Sequence, residues 1–369
     1  MTDRDYMLQA IELAKGGLGW TSPNPLVGAV IVKNGRIIGE GYHERCGKLH
    51  AERNAIASLT ESAEGATLYV TLEPCCHYGK TPPCTEAILE QKIARVVIGS
   101  RDPNPLVAGK GAAILRAAGV RVEEDFMREE CDALNPVFFH YITKKTPYVV
   151  MKYAMTADGK IAARTGDSKW ITGESARKKV QELRHRYMGI MAGIGTVLAD
   201  DPMLNVRIPG LKSPVRIICD SGLRIPMDSK IVQTAKEYRT IVAYAGEHSG
   251  EGCKETEEKA EQLHAVGVET VSVPDAGGRV DLRKLMEYLG NQGIDSVLLE
   301  GGGTLNDAAL SAGIVNEICA FIAPKIFGGA GAKTPVSGIG VAHPAEAVML
   351  TLRQMETIGD DLMLRYSVD

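Results

Sequence analysis

No stretch of the 369-residue chain approaches the roughly 18 consecutive apolar residues that a membrane-spanning helix needs, so the sequence offers no candidate span. An export signal is missing too: "MTDRDYMLQAIELAKGG" is amphipathic, carries mixed charge from its third residue and has no apolar h-region. The eight cysteines are therefore expected as reduced thiols in a cytosolic protein, free to bind metal or to pack, and not as disulfides. An excess of basic charge is also absent. The 42 Lys and Arg against 46 Asp and Glu give a net charge of -4, which argues against a large nucleic-acid footprint. No G-x-G-x-x-G follows an early strand, so a Rossmann dinucleotide fold is not indicated. Internal repeats and low-complexity segments are not detectable. What is present is ordinary for a globular enzyme, 44% hydrophobic and 24% charged, and long enough for two domains.

Hydrophobic periodicity orders the first half. A helix is predicted from Asp3 to about Lys15, stopped by Gly16-Gly17. A hairpin with strands Val27 to Val32 and Ile37 to Gly41 turns at Asn34-Gly35. A helix opens at His50 in "HAERNAIASL", and "GATLYVTLEPC" is a buried strand running into a cysteine loop. "PPCTEAILEQK" is a helix with Pro82-Pro83 at its start and Cys84 in its first turn. A strand in "ARVVIGS", a helix in "GKGAAILRAAG" and a strand from Val120 to Glu123 complete a layered α/β domain ending near Tyr141. Ile142 to Val150 reads as a basic linker leading into the strand "YVVMKYAMT", so the domains are expected at 1–143 and 144–369. The second domain repeats the α/β rhythm, with a helix over "GESARKKVQELRHR" and strands at "GIMAGIGTV", "PVRIICD", "TIVAYA" and "SVLLEGGG". "LNDAALSAG" reads as a helix and "EICAFIAPKIFGG" as a late strand, while "AGEHSGEGCKETEEKAEQ" reads as a solvated loop and helix without chemistry.

"LHAERNAI" and "EPCCHYGKTPPC" carry the first constellation. His50, Cys75 and Cys84 offer one nitrogen and two thiolates, the three protein ligands that a catalytic zinc takes while its fourth position stays open for water. Glu52, in the first turn of the same helix as His50, is placed to take a proton from that water and hand it to leaving ammonia. Zinc deaminases carry H-x-E followed by P-C-x-x-C. Here eight residues, not two, separate Cys75 from Cys84, so the intervening loop is either an arm carrying substrate contacts or a plain insertion beside a buried helix cysteine. Cys76 reads as a bystander, because adjacent residues seldom both face one metal.

Together with "NPLVGAVIV" and "RDPNPLVAGKG", these segments resemble the bifunctional riboflavin-biosynthesis deaminase/reductase family, in which Ser is commoner than Cys76. The resemblance implies a cytidine-deaminase-like three-layer α/β/α domain with zinc on His50, Cys75 and Cys84 and the proton shuttle on Glu52. It implies hydrolysis of the 2-amino group of a diaminopyrimidinone bearing a phosphoribosylamino substituent, with substrate contacts at Asn24, His43, His77, Lys80, Asp102 and Asn104. An Asn24 amide on a proline-stiffened loop suits a pyrimidine edge, since it both donates and accepts. His77 and Lys80 lie between two metal ligands, which would hold them near the reacting carbon. For His43 a solvated strand-end histidine is the competing assignment, and for Lys80 an exposed loop lysine.

Chemistry alone says less about the second half. "LLEGGGTLNDAAL" passes from a strand through Gly301, Gly302 and Gly303 into a helix; such a turn either admits a phosphate to free N–H groups or serves packing alone. "MKYAMTADGKIA", "GDSKWIT", "GTVLADDPMLNVR", "LEGGGTL" and "APKIFGG" match the reductase half of the same family, which resembles dihydrofolate reductase in fold. That implies NADPH-dependent reduction of a ribosylamino to a ribitylamino group. Cofactor contacts would fall on Ala154, Trp170, Thr196, Asp200, Ser221, Gly301, Gly302, Gly303, Thr304, Leu305 and Asn306. Substrate contacts would fall on Ser168, Arg184, Leu204, Arg207 and Glu300. Arg184 and Arg207 suit forked bonds to a sugar phosphate. Lys152 and Glu300 are expected to manage proton and charge, against a purely structural ion pair, and Trp170 to wall the pocket. The family further implies a homodimer or larger assembly.

Two other readings compete. One is a nucleoside or tRNA deaminase whose second domain only binds substrate; the other is a structural zinc module, which needs a fourth protein ligand from Cys76 or His77.

Overall fold

The computed structural model describes residues 1–78, 82–246 and 251–369, with the backbone alone for 251–253. Lys80 therefore lies outside the described residues. The chain divides into two compact units, Met1–Lys145 and Thr146–Asp369.

The first unit contains α1 (Asp3–Ala14), β1 (Gly28–Lys33), β2 (Arg36–Tyr42), α2 (Ala51–Ala57), β3 (Thr67–Leu72) and α3 (Cys84–Glu90), then β4 (Arg95–Ser100), α4 (Lys110–Ala117), β5 (Arg121–Glu123), α5 (Arg128–Asp132) and α6 (Pro136–Lys144). Its sheet runs β2-β1-β3-β4-β5, antiparallel on the β2 side of β3 and parallel beyond it. The hairpin turns where expected, with Asn34 at φ 51° and Gly35 at φ 76°, the left-handed pair of a type I′ turn. Alternation sorts the strand residues into two layers. Ala29, Ile31, Leu68, Val70, Val96 and Ile98 face a core shared with α2, α3 and α4, whereas Val30, Val32, Tyr69 and Val97 face α1 and Cys131 of α5. This is a three-layer α/β/α arrangement. The glycines of β2 set how closely α2 lies: a Cβ on Gly39 would stand 2.4 Å from the Ala55 carbonyl oxygen, and one on Gly41 2.3 Å from the Ala55 nitrogen. Only hydrogen fits there, so β2 seats the helix that carries His50 and Glu52.

The second unit contains β6 (Tyr148–Thr156), α7 (Glu174–Arg186), β7 (Gly189–Gly193), α8 (Ile194–Asp200), β8 (Val215–Cys219), α9 (Lys230–Gln233), β9 (Thr240–Tyr244) and α10 (Glu251–Ala265). It continues through β10 (Glu269–Ser272), α11 (Leu282–Asn291), β11 (Ser296–Leu299), α12 (Gly303–Ser311), β12 (Val315–Ala323), β13 (Leu350–Ile358) and β14 (Asp361–Val368). The sheet order is β10-β9-β8-β7-β11-β6-β12-β14-β13. All pairings from β10 to β12 are parallel, and β14 and β13 extend the sheet antiparallel. One face buries Val149, Met151, Met191, Ile217 and Leu299; the opposite face buries Ile190, Ala192, Ile218 and Val242.

Three expectations are corrected here. Ile142 to Lys144 belong to α6, so the linker shrinks to the few residues before β6. "GIMAGIGTV" is a strand only to Gly193; from Ile194 it is helix α8, because the Gly193 backbone (φ -86°, ψ 156°) is the helix N-cap. The late strand stops at Ala323, and Pro324 with the glycines after it leave the sheet.

Arg216, the second residue of β8, is fully buried with no carboxylate among its hydrogen-bond partners in the described residues. Its guanidinium donates to the hydroxyls of Thr240 (2.7 Å) and Thr234 (2.8 Å) and to the carbonyls of Ile231 (2.8 Å), Tyr238 (3.2 Å) and Met203 (3.3 Å). Burial pushes its pKa down to about 10, so it stays charged at neutral pH, solvated by oxygens in place of water. The bond to Met203 ties the loop before Leu204 to the sheet.

Candidate active sites

In the first unit, three chain segments meet at the C-terminal ends of the parallel strands. His50 is the N-cap of α2. Cys75 follows β3, and Cys84 is the first residue of α3. His50 Nδ1 lies 3.4 Å from Cys75 Sγ and 3.5 Å from Cys84 Sγ, and the three ligand atoms lie within 4.8 Å of one another. A tetrahedral zinc with bonds of ~2.3 Å to sulfur and ~2.05 Å to nitrogen has N···S edges of about 3.5 Å. The donor set therefore fits zinc in both chemistry and spacing. No other His, Cys, Asp or Glu joins this cluster among the described residues. Cys76 Sγ contacts the Leu106 carbonyl at 3.7 Å instead, and His77 is exposed. This leaves the open corner that a structural zinc module would have filled.

Hydrogen bonding from the Cys84 thiol, His50 and the Cys84 backbone N–H (3.3 Å) pulls Cys75 down to about 4, and the same contact holds the Cys84 thiol up. Glu52 is 4% exposed, and burial pushes its carboxyl up to about 7, with the Cys75 sulfur adding to the rise. Such a carboxyl sits near the range where it can both take and return a proton.

His43 is buried and not a solvated strand-end residue. Its Nδ1 lies 2.9 Å from the Leu49 carbonyl, an acceptor only, so Nδ1 carries the proton and Nε2 accepts from the Asn24 amide at 3.2 Å. Burial lowers the His43 pKa, which keeps it neutral. The pairing fixes the Asn24 amide near the metal cluster, since the His43 and His50 rings are 5.4 Å apart. Asp102 is also buried and pushed up to about 6 by burial; it accepts from the Asn104 N–H at 2.8 Å. One residue that the sequence pattern did not single out is Glu73. Its buried carboxylate accepts from Gly109 N (3.0 Å) and Ala112 N (3.2 Å), satisfying the free donors at the start of α4 and anchoring the turn that delivers Cys75. A glutamate just before Pro74-Cys75 was the available signal.

In the second unit, a cleft of about 1560 Å³ opens at the C-terminal ends of the parallel strands, where open α/β sheets bind ligands. Lys152, Ala154, Ser168, Trp170, Thr196, Asp200, Ser221, Glu300, Gly301, Gly302, Gly303, Thr304 and Leu305 all line it. Arg184, Leu204, Arg207 and Asn306 do not line it. Leu204 is in the core at 3% exposure. Arg207 is exposed, held through its backbone N–H to Gln181 Oε1 at 2.9 Å. The Asn306 side chain is buried and donates to the Pro335 carbonyl at 2.8 Å. Arg184 clamps Glu300 with two bonds, Nε to Oε1 at 2.7 Å and Nη2 to Oε2 at 3.0 Å, and Lys152 Nζ stands 3.7 Å from Oε2. Burial by itself raises Glu300, but the two cations outweigh it and take its carboxyl down to about 2. Glu300 is thus a fixed anion beside Lys152.

Packing accounts for two glycines of the run. A Cβ on Gly301 would meet Asn306 Oδ1 at 2.7 Å and one on Gly303 the Thr334 carbonyl at 2.8 Å, so these two serve packing, whereas Gly302 has open space. Trp170 is 58% exposed, with the Arg177 guanidinium 4.7 Å from its ring centroid. It stands at the rim of the cleft and not in a core. The further wall formed by Lys333, Thr334 and Ser337 had no signal in the sequence. It is brought in by Asp158, which accepts from Phe327 N (3.2 Å) and Gly328 N (2.7 Å), and by Ile161 N, which donates to the Lys333 carbonyl (2.9 Å).

Each unit matches a known family. Residues 1–100 fit the cytidine and deoxycytidylate deaminase zinc-binding region, and residues 147–364 fit the RibD C-terminal domain. The molecule is therefore a two-domain enzyme, a deaminase followed by a reductase. It belongs to the RibD family and is a bifunctional enzyme of riboflavin biosynthesis. It is 58% identical to the riboflavin biosynthesis protein RibD of Actinobacillus pleuropneumoniae over 368 residues, covering 100% of this chain and 96% of that one. Identity to the RibD of Aquifex aeolicus is 43%, covering 99% and 98%. Among solved structures it resembles RibD of Acinetobacter baumannii (TM-score 0.87, 37% identity, 100% and 99% covered). It also resembles a diaminohydroxyphosphoribosylaminopyrimidine deaminase/5-amino-6-(5-phosphoribosylamino)uracil reductase of Thermotoga maritima (TM-score 0.86, 38% identity, 99% and 98% covered).

Proposed function

We propose that the first unit removes the 2-amino group of 2,5-diamino-6-(5-phosphoribosylamino)pyrimidin-4(3H)-one by zinc-dependent hydrolysis, and that the second reduces the ribosylamino group of the product with NADPH. The observation that carries this reading is the His50–Cys75–Cys84 cluster at tetrahedral spacing beside buried Glu52, in a chain that the Thermotoga maritima deaminase/reductase matches over 99% of its length. When bound, zinc supplies the Lewis acidity that makes water a nucleophile at neutral pH. Glu52 takes the proton of that water and returns it to the departing ammonia as the water oxygen replaces nitrogen on the ring. Neutral His43 orients the Asn24 amide for the pyrimidine edge, with Asp102, Asn104, His77 and Lys80 as further substrate contacts.

In the reductase cleft NADPH supplies the hydride. Ala154, Trp170, Thr196, Asp200, Ser221 and residues 301–305 form its seat, and Lys152, held by Glu300, provides a positive group for the ribose oxygen as the ring opens. Ser168 shapes the substrate end of the cleft, and Arg184 serves it through Glu300. The test is incubation of the full chain with the phosphorylated diaminopyrimidinone and NADPH. Ammonia release and NADPH loss are both expected; ammonia without NADPH oxidation would favour a deaminase whose second unit only binds.

The same reading places the enzyme in the cytosol, where Cys75 and Cys84 stay reduced, and makes it a homodimer or larger assembly. No helix among the described residues is long and apolar enough to cross a membrane. Self-association is supported by the sheet edge. Strand β13 is the last of its sheet and, with the residues before it, exposes Val348, Met349, Leu350, Leu352 and Met355, the last at 68%. An apolar edge strand of this kind invites pairing. Placing Lys at both Leu352 and Met355 is expected to shift the enzyme to a smaller species in sedimentation velocity. A wild-type chain that sediments as a monomer at micromolar concentration would contradict the assembly.

A further inference from the structure

Arg53 stands one residue beyond Glu52 in the first turn of α2, yet its side chain leaves that helix for the start of the next. Nε donates to the Pro82 carbonyl at 3.1 Å and Nη2 to the Pro83 carbonyl at 2.8 Å. These are the two carbonyls immediately before Cys84, and Pro83 is the N-cap of α3. Prolines have no N–H, so this segment has only carbonyls by which its backbone can be held. A planar guanidinium fork suits two neighbouring acceptors, which a single ammonium matches poorly.

The connections around the metal cluster show why this bridge matters. Cys75 and Cys84 are joined directly by main-chain donors: Cys84 N reaches Cys75 Sγ at 3.3 Å, and Thr85 N reaches the Cys75 carbonyl at 3.2 Å. His50 comes from a different helix. The two helices also pack through the core, with Ala51, Ala55 and Ile88 in one cluster, and Glu52 bonds the Cys84 thiol; Arg53 adds two side-chain bonds from the helix of His50 and Glu52 to the backbone immediately before Cys84.

We propose that Arg53 is a positioning residue for the metal site. It holds the Cys84 side of the cluster at the spacing from His50 that a tetrahedral ion needs, with or without metal, and it anchors the far end of the loop that begins at Cys75. This rests on the zinc-deaminase reading of the site.

The test uses the full-length zinc-loaded enzyme with Arg53→Ala and Arg53→Lys. Three quantities are measured: zinc release to a chromogenic chelator, the thiolate-to-cobalt charge-transfer spectrum of the Co²⁺-substituted protein, and reduction of the deaminated intermediate by NADPH. Arg53→Ala is expected to bind zinc about 10- to 100-fold more weakly, as losses of outer partners of metal ligands do, and so to release it faster, with a shifted cobalt spectrum. Arg53→Lys, which keeps one bond to a carbonyl, should fall between, and the reductase rate should stay at the wild-type value in both. Zinc release and a cobalt spectrum unchanged in Arg53→Ala would overturn the proposal, even if deamination fell, because Arg53 would then be a substrate contact. A wild-type enzyme that frees no ammonia from the diaminopyrimidinone, but whose Arg53→Ala variant still loses zinc faster, would overturn the functional reading and leave the clamp standing.

Discussion

Glu52→Gln is expected to abolish ammonia release almost completely while the protein keeps its zinc. The atoms placed to hold the ion belong to His50, Cys75 and Cys84, so the substitution removes none of them. It removes the base. A positioned proton-transfer group contributes about 10²- to 10⁴-fold to rate, and an amide of the same shape neither accepts the proton of water nor returns it to ammonia. Stability should not suffer, because Glu52 is buried and a neutral amide costs less to bury than a carboxylate. Metal analysis by plasma emission and ammonia release on one preparation check this, with reduction of the deaminated intermediate as an internal control. Turnover at the wild-type rate would remove Glu52 from the chemistry. Loss of zinc together with turnover would make it a structural partner of the cluster.

Glu300→Gln is the counterpart in the second unit, and it should cost both stability and reduction. Arg184, Lys152 and Glu300 are only 14%, 13% and 12% exposed at their side chains. Removing the one anion leaves two cations in low dielectric, a loss of about 3–5 kcal/mol for broken buried pairs. The pH dependence agrees in size. The carboxyl is held at about 2 against an ordinary 4.5, and that depression corresponds to about 3 kcal/mol. Because the folded value is the lower one, this stabilisation is complete above the ordinary carboxyl range and is lost as pH falls from there towards 2. Calorimetry of the full chain should show one transition moved down by about 10 °C in the variant at neutral pH, and this difference should shrink in acid. Reduction should fall even below the shifted transition, since Lys152 loses the partner that fixes it. A variant with unchanged melting and unchanged NADPH oxidation would show that the triad is dispensable.

The two sites differed in how far they could be read from the chain. His50, Glu52, Cys75 and Cys84 announce themselves because each sits at a helix start or strand end that local periodicity marks, and because metal ligation restricts residue type. Glu73 and Arg53 escape that logic: a carboxylate capping a distant helix and a guanidinium gripping two proline carbonyls look like ordinary polar residues until the partner helices are in place. In the second unit, the residues that line the cleft come from β6, α8, the end of β8, the glycine run and the loop after β12. Pairs such as Asp158 with Gly328 are 170 positions apart, and no periodicity links them. Arg184 shows the limit most clearly. An arginine near a sugar-phosphate enzyme's substrate loop reads as a phosphate ligand, but three of its five N–H donors go to Glu300 and the Asn205 carbonyl.

By itself, the amino-acid sequence determined the two α/β units, the candidate metal-binding trio, the carboxylate beside it and the glycine turn. Each of these depends on contacts within a few residues or on a donor type that chemistry restricts. Only the tertiary structure decided that His43 is neutral and aims Asn24, that Glu300 is a clamped anion, and that Leu204 and Asn306 pack inside. These states follow from burial and from which distant group supplies the hydrogen bond, and both are properties of packing in three dimensions.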